Sequence, residues 1–205
     1  MPVGNARIWV LVILSLLLLA AYLLLRKRQG RLAKSVSRIA ITTLTAIVVV
    51  FLIMRPFVLE AFVIPSPSMS PTLEPGDQVL VNKFIYKFRM PRYREVVVFV
   101  APDEVAGRNR PDDYIKRVIG LPGDRITVFA GAVYRNGHRL NERYIREPIQ
   151  YVMWQIEAPA GTGWVMGDNR NNSSDSHVWG PLETKRLLGR ATVVAWPPRR
   201  IGYVR

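Results

Sequence analysis

Two stretches far apart in a 205-residue chain carry side chains able to do hydrolytic chemistry. The first is Ile64-Pro65-Ser66-Pro67-Ser68-Met69-Ser70-Pro71-Thr72-Leu73, where three serines alternate with Pro67, Met69 and Pro71. The prolines fix φ and remove backbone donors, so the stretch reads as a rigid extended loop, neither helix nor central strand. A rigid loop holds a hydroxyl in place, and holding a nucleophile in place lowers a barrier. A Ser/Pro linker is the other reading, although Phe62-Val63-Ile64 before it and Thr72-Leu73 after it are not linker residues. The second stretch is Asp113-Tyr114-Ile115-Lys116-Arg117-Val118-Ile119-Gly120-Leu121-Pro122-Gly123-Asp124. As a strand it places Tyr114, Lys116 and Val118 on one face and Ile115, Arg117 and Ile119 on the other. Both faces are largely apolar, so one of the two cations lies in poor solvent. Arginine keeps its proton there, whereas desolvation lowers a lysine from about 10.4 toward a useful range. A serine hydroxyl with a neutral lysine base builds a hydrolase almost without histidine. A lysine snorkelling from a strand edge is the alternative, and these residues alone do not choose among the three serines.

Composition narrows the chemistry. The chain has no Cys and two His, His138 and His177. That excludes a thiol nucleophile, a Cys-ligated zinc and a disulfide framework. No His-Glu-x-x-His pattern occurs, and neither metal nor cofactor is expected. A third segment, Gly167 to Gly180, is dense in Asp, Asn and Ser and follows the strand-like Trp164-Val165-Met166, so it reads as a structured loop. Asp168 and Asp175 are its only carboxylates and Arg170 lies between them, which makes a weak cation site. A Ser-His-Asp triad through His177 is conceivable, but Asp175 and His177 are too close in sequence to argue for it.

These segments need elements to hold them. Ile8 to Leu25 is uncharged and almost wholly apolar, about 27 Å long as a helix, which suits a bilayer core. A basic cluster follows it in place of a small-residue cleavage site, so it reads as an uncleaved anchor. Ile39 to Met54 is a second apolar run. Its Thr42, Thr43 and Thr45 hydroxyls can bond to the helix's own carbonyls, and Arg38 and Arg55 flank it. The basic loop 26–38 is then cytoplasmic and the chain after Arg55 extracytoplasmic. The expected organisation is a membrane anchor over 1–55, with spans at about 8–25 and 39–54, and an extracytoplasmic domain over 56–205.

The net charge of +14 fits this division, because the first 55 residues hold eight basic residues and no acid, and the remainder 21 basic and 15 acidic. Lys83, Lys87, Arg89, Arg92 and Arg94 alternate with Phe84, Tyr86, Phe88 and Tyr93, a pattern that nucleic-acid grooves share. Beside an anchor it reads as a membrane-facing rim, with lipid as the partner and no nucleic acid. Beyond Pro56 the chain is β: Val79–Val81, Val96–Val100, Tyr114–Ile119, Ile126–Phe129, Trp164–Met166 and Ala191–Trp196 are β-branched or aromatic runs between Gly and Pro turns. Asn136-Gly137 signals a hairpin, and Leu182 to Leu188 reads as a short helix.

Taken in order, Pro65 to Leu73, then Gly76-Asp77-Gln78-Val79-Leu80-Val81-Asn82-Lys83, then Asp113 to Asp124, then Gly167 to Gly180 resemble the sequence boxes of bacterial type I signal peptidases (leader peptidases). The resemblance runs from about Arg55 to the C-terminus. It implies a mainly β fold, two transmembrane helices followed by an antiparallel β-sheet catalytic domain. It also implies a membrane-anchored serine endopeptidase, without metal or cofactor, that cleaves signal peptides from exported preproteins at the outer face of the cytoplasmic membrane. By position it makes Ser68 the nucleophile and Lys116 the general base, with Ser66 and the Ser68 N–H as the oxyanion hole and Ser173 orienting the lysine. Asp168, Arg117 and Asp175 become supporting ion-pair residues. Phe62, Ile64, Pro65, Met69, Leu73, Tyr114 and Ile115 become pocket residues for small substrate side chains.

Two positions depart from the family pattern: Asn171 stands where Asp is frequent, and His177 where Arg is frequent. His177 carries the arginine's charge only when protonated. The short stretch from Tyr134 to Trp154 implies that an inserted subdomain is reduced to a hairpin. A soluble repressor-type autoprotease would share the chemistry, but two apolar spans count against it. A non-catalytic membrane-anchored β module binding lipid or a partner protein is the reading from another class.

Overall fold

The computed structural model describes residues 38, 41–42, 44–46, 59–103, 105 and 113–204. The chain divides into two units, Met1–Phe57 and Val58–Arg205. In the first, the described residues are helical, and the Thr42 hydroxyl donates to the Arg38 carbonyl. That is the self-satisfaction expected of threonine in an apolar helix. The expected span 8–25, the loop 26–38 up to Arg38 and most of the span 39–54 lie outside the described residues. Among the described residues no helix is long and apolar enough to cross a membrane.

Among the described residues of the second unit, twelve strands form two antiparallel sheets. In chain order they are β1 (Leu59–Val63), β2 (Gln78–Asn82), β3 (Val96–Val100), β4 (Asp113–Gly120), β5 (Arg125–Phe129), β6 (Ala132–Arg135), β7 (His138–Arg139), β8 (Met153–Glu157), β9 (Thr162–Met166), β10 (Leu182–Glu183), β11 (Leu187–Trp196) and β12 (Gly202–Tyr203). The larger sheet has the order β1-β2-β11-β3-β4-β9-β10, with β12 on β11, and the smaller has the order β7-β6-β5-β8. The mainly β, antiparallel expectation is met.

The central strands are apolar on both faces because both are covered. On β3, Val96 and Val98 enter one core cluster with Ile64, Met69, Leu73 and Ile115, and Val97 and Phe99 enter another with Val118, Val165 and Leu182. Met69 and Leu73 thus nail the serine loop to the sheet. Burying each contributes about 2 kcal/mol. A third cluster, with Ile119, Ile126, Val133 and Trp164, joins the two sheets.

Three local expectations change. Pro67–Met69 is one turn of 3-10 helix, closed by Ser70 N–H to Pro67 O at 3.0 Å; proline at the first position of a turn supplies the required φ and no donor is lost. Leu182–Leu188 is not a helix: Leu182–Glu183 pairs with β9, a 3-10 turn follows over Thr184–Arg186, and β11 begins at Leu187. The 134–154 stretch does form the Asn136–Gly137 hairpin β6–β7, but β5 and β8 extend it to a four-stranded sheet.

Gly189 lies where β11 crosses its neighbours. A Cβ there would sit 2.5 Å from the Asn82 carbonyl oxygen and 2.7 Å from Val81 Cγ1. Gly189→Ala should therefore destabilise the domain by about 2 kcal/mol and lower its thermal midpoint by roughly 4–8 °C, read by thermal melting.

Candidate active site

The serine stretch closes the β1–β2 hairpin. Ile64 and Asp77 fasten its base, with Ile64 N–H donating to Asp77 O and Gly76 N–H to Ile64 O, each at 2.9 Å. The Asp77 carboxylate then holds the loop from inside. It accepts from Glu74 N–H at 2.9 Å and takes both Nε and Nη2 of Arg200 at 2.9 Å. Within the loop the three serines part company. Ser70 donates to Glu74 Oε2 at 2.6 Å. Ser68 Oγ lies 2.7 Å from Lys116 Nζ, and Ser66 Oγ donates to Ser68 Oγ at 3.2 Å.

Lys116 comes from the middle of β4 and is 4% exposed, and Arg117 beside it is 1% exposed. Both cations of the strand are therefore withdrawn from water, not one of them. They are satisfied in different ways. Arg117 forks Asp168, Nε to Oδ1 at 2.8 Å and Nη2 to Oδ2 at 2.6 Å, and donates from Nη1 to Arg94 O at 3.0 Å. Lys116 meets a hydroxyl and the Tyr114 ring, whose centroid is 5.5 Å from Nζ. Burial pulls the lysine down to about 8, against the opposing fields of Asp175 and Asp168. An amine that gives up its proton this readily is a usable base near neutral pH.

The Gly167–Asp175 loop closes over the Ser68 carbonyl. Asn169 N–H donates to Ser68 O at 3.1 Å, and Asn169 Nδ2 to Pro67 O at 3.2 Å. Thr72 donates to Asp168 Oδ2 at 2.5 Å, which ties the same loop to the serine stretch a second time. Asp175 caps the one-turn helix Ser176–Trp179. It accepts from His177 N–H at 3.1 Å and from Gly167 N–H at 2.8 Å, and its Oδ1 lies 2.8 Å from His177 Nδ1. Ser173 is half-buried beside Gly167 with its hydroxyl shielded from water, but that hydroxyl has no hydrogen-bond partner among the described residues, so the expected bond to Lys116 is not formed.

Of the expected pocket residues, Ile64, Met69, Leu73 and Ile115 are buried in one cluster with Phe62 packed against it. Tyr114 packs on the opposite cluster, and Pro65 is exposed. A cavity of about 430 Å³ is lined by Ala132, Leu140, Glu142 and Ile145 among others, and by none of these pocket residues. Among the described residues no cluster of His, Asp and Glu could hold a metal.

Several residues of the site carry no signal in the sequence. Glu142 forks the buried Arg170 at 2.8 and 2.7 Å, and Arg170 Nε donates to Gly167 O at 2.9 Å. Tyr144 lies over Arg117 at 4.0 Å. The one clue is Arg170 itself, since an arginine inside a tight polar loop requires an acidic partner from elsewhere.

A hydroxyl and an amine at hydrogen-bond distance in a nearly dry β-sheet site have the layout of a hydrolase with an oxygen nucleophile. Residues 36–196 match the family model described as signal peptidase, peptidase S26. The chain is 45% identical over 162 residues to a probable signal peptidase I-2 of Synechocystis sp., covering 79% of this chain and 74% of that one. It is also 45% identical over 165 residues to signal peptidase I of Leptolyngbya laminosa, covering 79% and 81%. A solved signal peptidase I from Enterococcus faecalis is 24% identical, with a TM-score of 0.44 over 51% of this chain and 98% of that one. The chain belongs to the peptidase S26 signal peptidase family and is a serine endopeptidase of the signal peptidase I type.

Gly167 faces Ser68 so closely that a Cβ there would lie 2.4 Å from Ser68 O and 2.3 Å from Ser173 Oγ. Gly167→Ala should cut kcat/KM on a preprotein by about 100-fold, the loss expected when an active-site group is displaced by roughly 1 Å. Its β-type circular dichroism should be kept.

Proposed function

We propose that this chain is a membrane-anchored endopeptidase that removes signal peptides from exported preproteins, with Ser68 as nucleophile and Lys116 as general base. The observation that carries the reading is the 2.7 Å contact between Ser68 Oγ and a buried lysine whose proton affinity is depressed. When Lys116 is neutral, the Ser68 O–H donates to the Nζ lone pair. Attack on the scissile carbonyl moves the Ser68 proton to Nζ and forms the C–O bond. Collapse of the tetrahedral adduct breaks the C–N bond, and the lysine ammonium returns the proton to the leaving amine. Water then hydrolyses the acyl-enzyme with the same lysine as base.

The Ser66 hydroxyl and the Ser68 N–H are the oxyanion donors in this scheme, and one such donor is worth about 3 kcal/mol in the transition state. Ser66 already bonds to Ser68 Oγ, which supports its reaching the developing charge. Ser173 keeps the lysine-orienting role, supported by a buried hydroxyl with no competing partner. Phe62, Ile64, Pro65, Met69, Leu73, Tyr114 and Ile115 keep the role of forming shallow apolar pockets for small side chains. The apolar runs 8–25 and 39–54 and the basic residues between them support an anchor over 1–55. They also support a peptidase domain over 56–205 on the outer side of the cytoplasmic membrane.

Ser68→Ala and Lys116→Ala should each abolish cleavage of a preprotein, and Lys116→Arg should be equally inactive because a guanidinium does not serve as a base. Ser66→Ala should retain activity at a level lower by about 100-fold. Near-wild-type cleavage by either alanine variant of the pair defeats the reading. The pH profile gives an independent check. The base works only when neutral, so kcat/KM should rise with pH and be half-maximal near about 8. At pH 7 roughly a tenth of the enzyme would be active.

A further inference from the structure

Away from Ser68 and Lys116, a series of polar and ring contacts joins two irregular segments, residues 141–151 between β7 and β8, and residues 167–177 after β9. They touch at three points, and beside them Tyr144 reaches Arg117 of β4. Glu142 forks Arg170. Tyr144 donates its hydroxyl to Glu142 Oε1 at 2.6 Å and lays its ring over Arg117. Asn171 is gripped from both ends of its amide: Oδ1 accepts from Gln150 N–H at 2.8 Å, and Nδ2 donates to Glu147 Oε1 at 3.1 Å and to Pro148 O at 3.0 Å. Tyr151 stacks on the His177 imidazole, with centroids 4.3 Å apart and planes 15° apart. The Asn171 contacts also account for asparagine at that position, because an aspartate would face Glu147 and lose both donated bonds.

Two of these contacts, those of Tyr144 and Tyr151, repeat one arrangement. Each carboxylate of the 167–177 segment has a basic partner, and a tyrosine of the 141–151 segment backs each partner: Asp168 with Arg117 and Tyr144, Asp175 with His177 and Tyr151. Both carboxylates adjoin the backbone that meets the nucleophile. Asp175 accepts from Gly167 N–H, and Asp168 stands between Gly167 and Asn169, whose N–H donates to Ser68 O. Lys116 contacts Ser68 and the Tyr114 ring, and the fields that reach it are those of Asp175 and Asp168, whose own partners are His177 and Arg117. A bare carboxylate favours an ammonium nearby, and one held against a fixed partner favours it less.

We propose that residues 141–151 form a strap in which Tyr144 and Tyr151 are positioning residues for peptide hydrolysis, holding Arg117 and His177 on their carboxylates and so fixing the negative field at Lys116. The proposal rests on Lys116 being the base. It assigns the strap's own function: the tyrosines act through two intermediaries and set the pH at which the site becomes competent.

The test is the pH dependence of kcat/KM on a preprotein, using the full chain in detergent. Each variant's active sites are titrated with a serine-directed acylating probe. In Tyr144→Leu and Tyr151→Leu the rings are gone, the carboxylates are less compensated, and the acid limb should move up by about half a pH unit. Tyr144→Phe and Tyr151→Phe keep the rings and should stay on the wild-type limb. His177→Arg puts a permanent cation on Asp175 and should move the limb down, which keeps the proposal testable even where a leucine variant does not fold. Leucine variants that lower the amplitude per titrated site without moving the limb overturn it. So does an unmoved limb in His177→Arg. A wild-type limb that persists in Lys116→Ala would instead sink the assignment of the base, which separates the two failures.

Discussion

The Arg117–Asp168 fork is the contact on which the site depends. Two charges withdrawn almost wholly from water each lose several kcal/mol of hydration, so they persist only if their geometry and remaining hydrogen bonds are complete. Here they are. Asp168 takes two guanidinium nitrogens and the Thr72 hydroxyl, and Arg117 sends its third nitrogen to the Arg94 carbonyl. One fork therefore binds together β4, the far end of the serine loop and the 167–169 segment that meets Ser68. Removing either partner would leave an uncompensated charge in the middle of all three. Lys116, the preceding residue, has no such partner and gives up proton affinity instead. The strand thus holds two neighbouring cations under opposite rules, one fully paired and one deliberately underpaired.

The remainder of the domain serves that pair from a distance. The hairpin base at Ile64 and Asp77, and the Asp77–Arg200 fork, prevent the serine loop from opening. Met69 and Leu73 anchor it in the core while the residue between Pro67 and Met69 is left at the surface of the cluster, 7% exposed. The smaller sheet supplies the strap, so its packing through Ile126, Val133 and Trp164 is mechanically continuous with the site.

Strands with one or both faces buried were legible in the sequence because burial imprints a pattern: β3 is a continuous apolar run, β4 has apolar residues on both sides of its two cations, and β2 and β5 alternate. The strands that escaped notice are edges. β1 and β8 each end a sheet and are exposed along most of their length, so nothing selects their residues by face. β10 is also an edge, and at two residues it is too short to show an alternation. At the site, Ser68, Lys116, Asp168 and Asp175 stand in segments whose composition is unusual enough to notice. Glu142, Tyr144 and Tyr151 do not. They lie in a stretch without period, and what they do is decided by partners such as Arg170, 28 residues from Glu142. A side chain whose role is set only by tertiary neighbours leaves no local trace.

The alternation along β4 has one more consequence. Side chains in a strand change face at every residue, so a shift of one position in the pairing of β3 with β4 would exchange the two cations. The guanidinium would point at the serine hydroxyl and the amine at Asp168. Such a chain would keep its hydrophobic count, yet hold a permanent cation beside the Ser68 hydroxyl. Which cation meets the serine is thus stored in the parity of a strand. The Val97–Lys116 pairing, with the fork beside it, guards that parity.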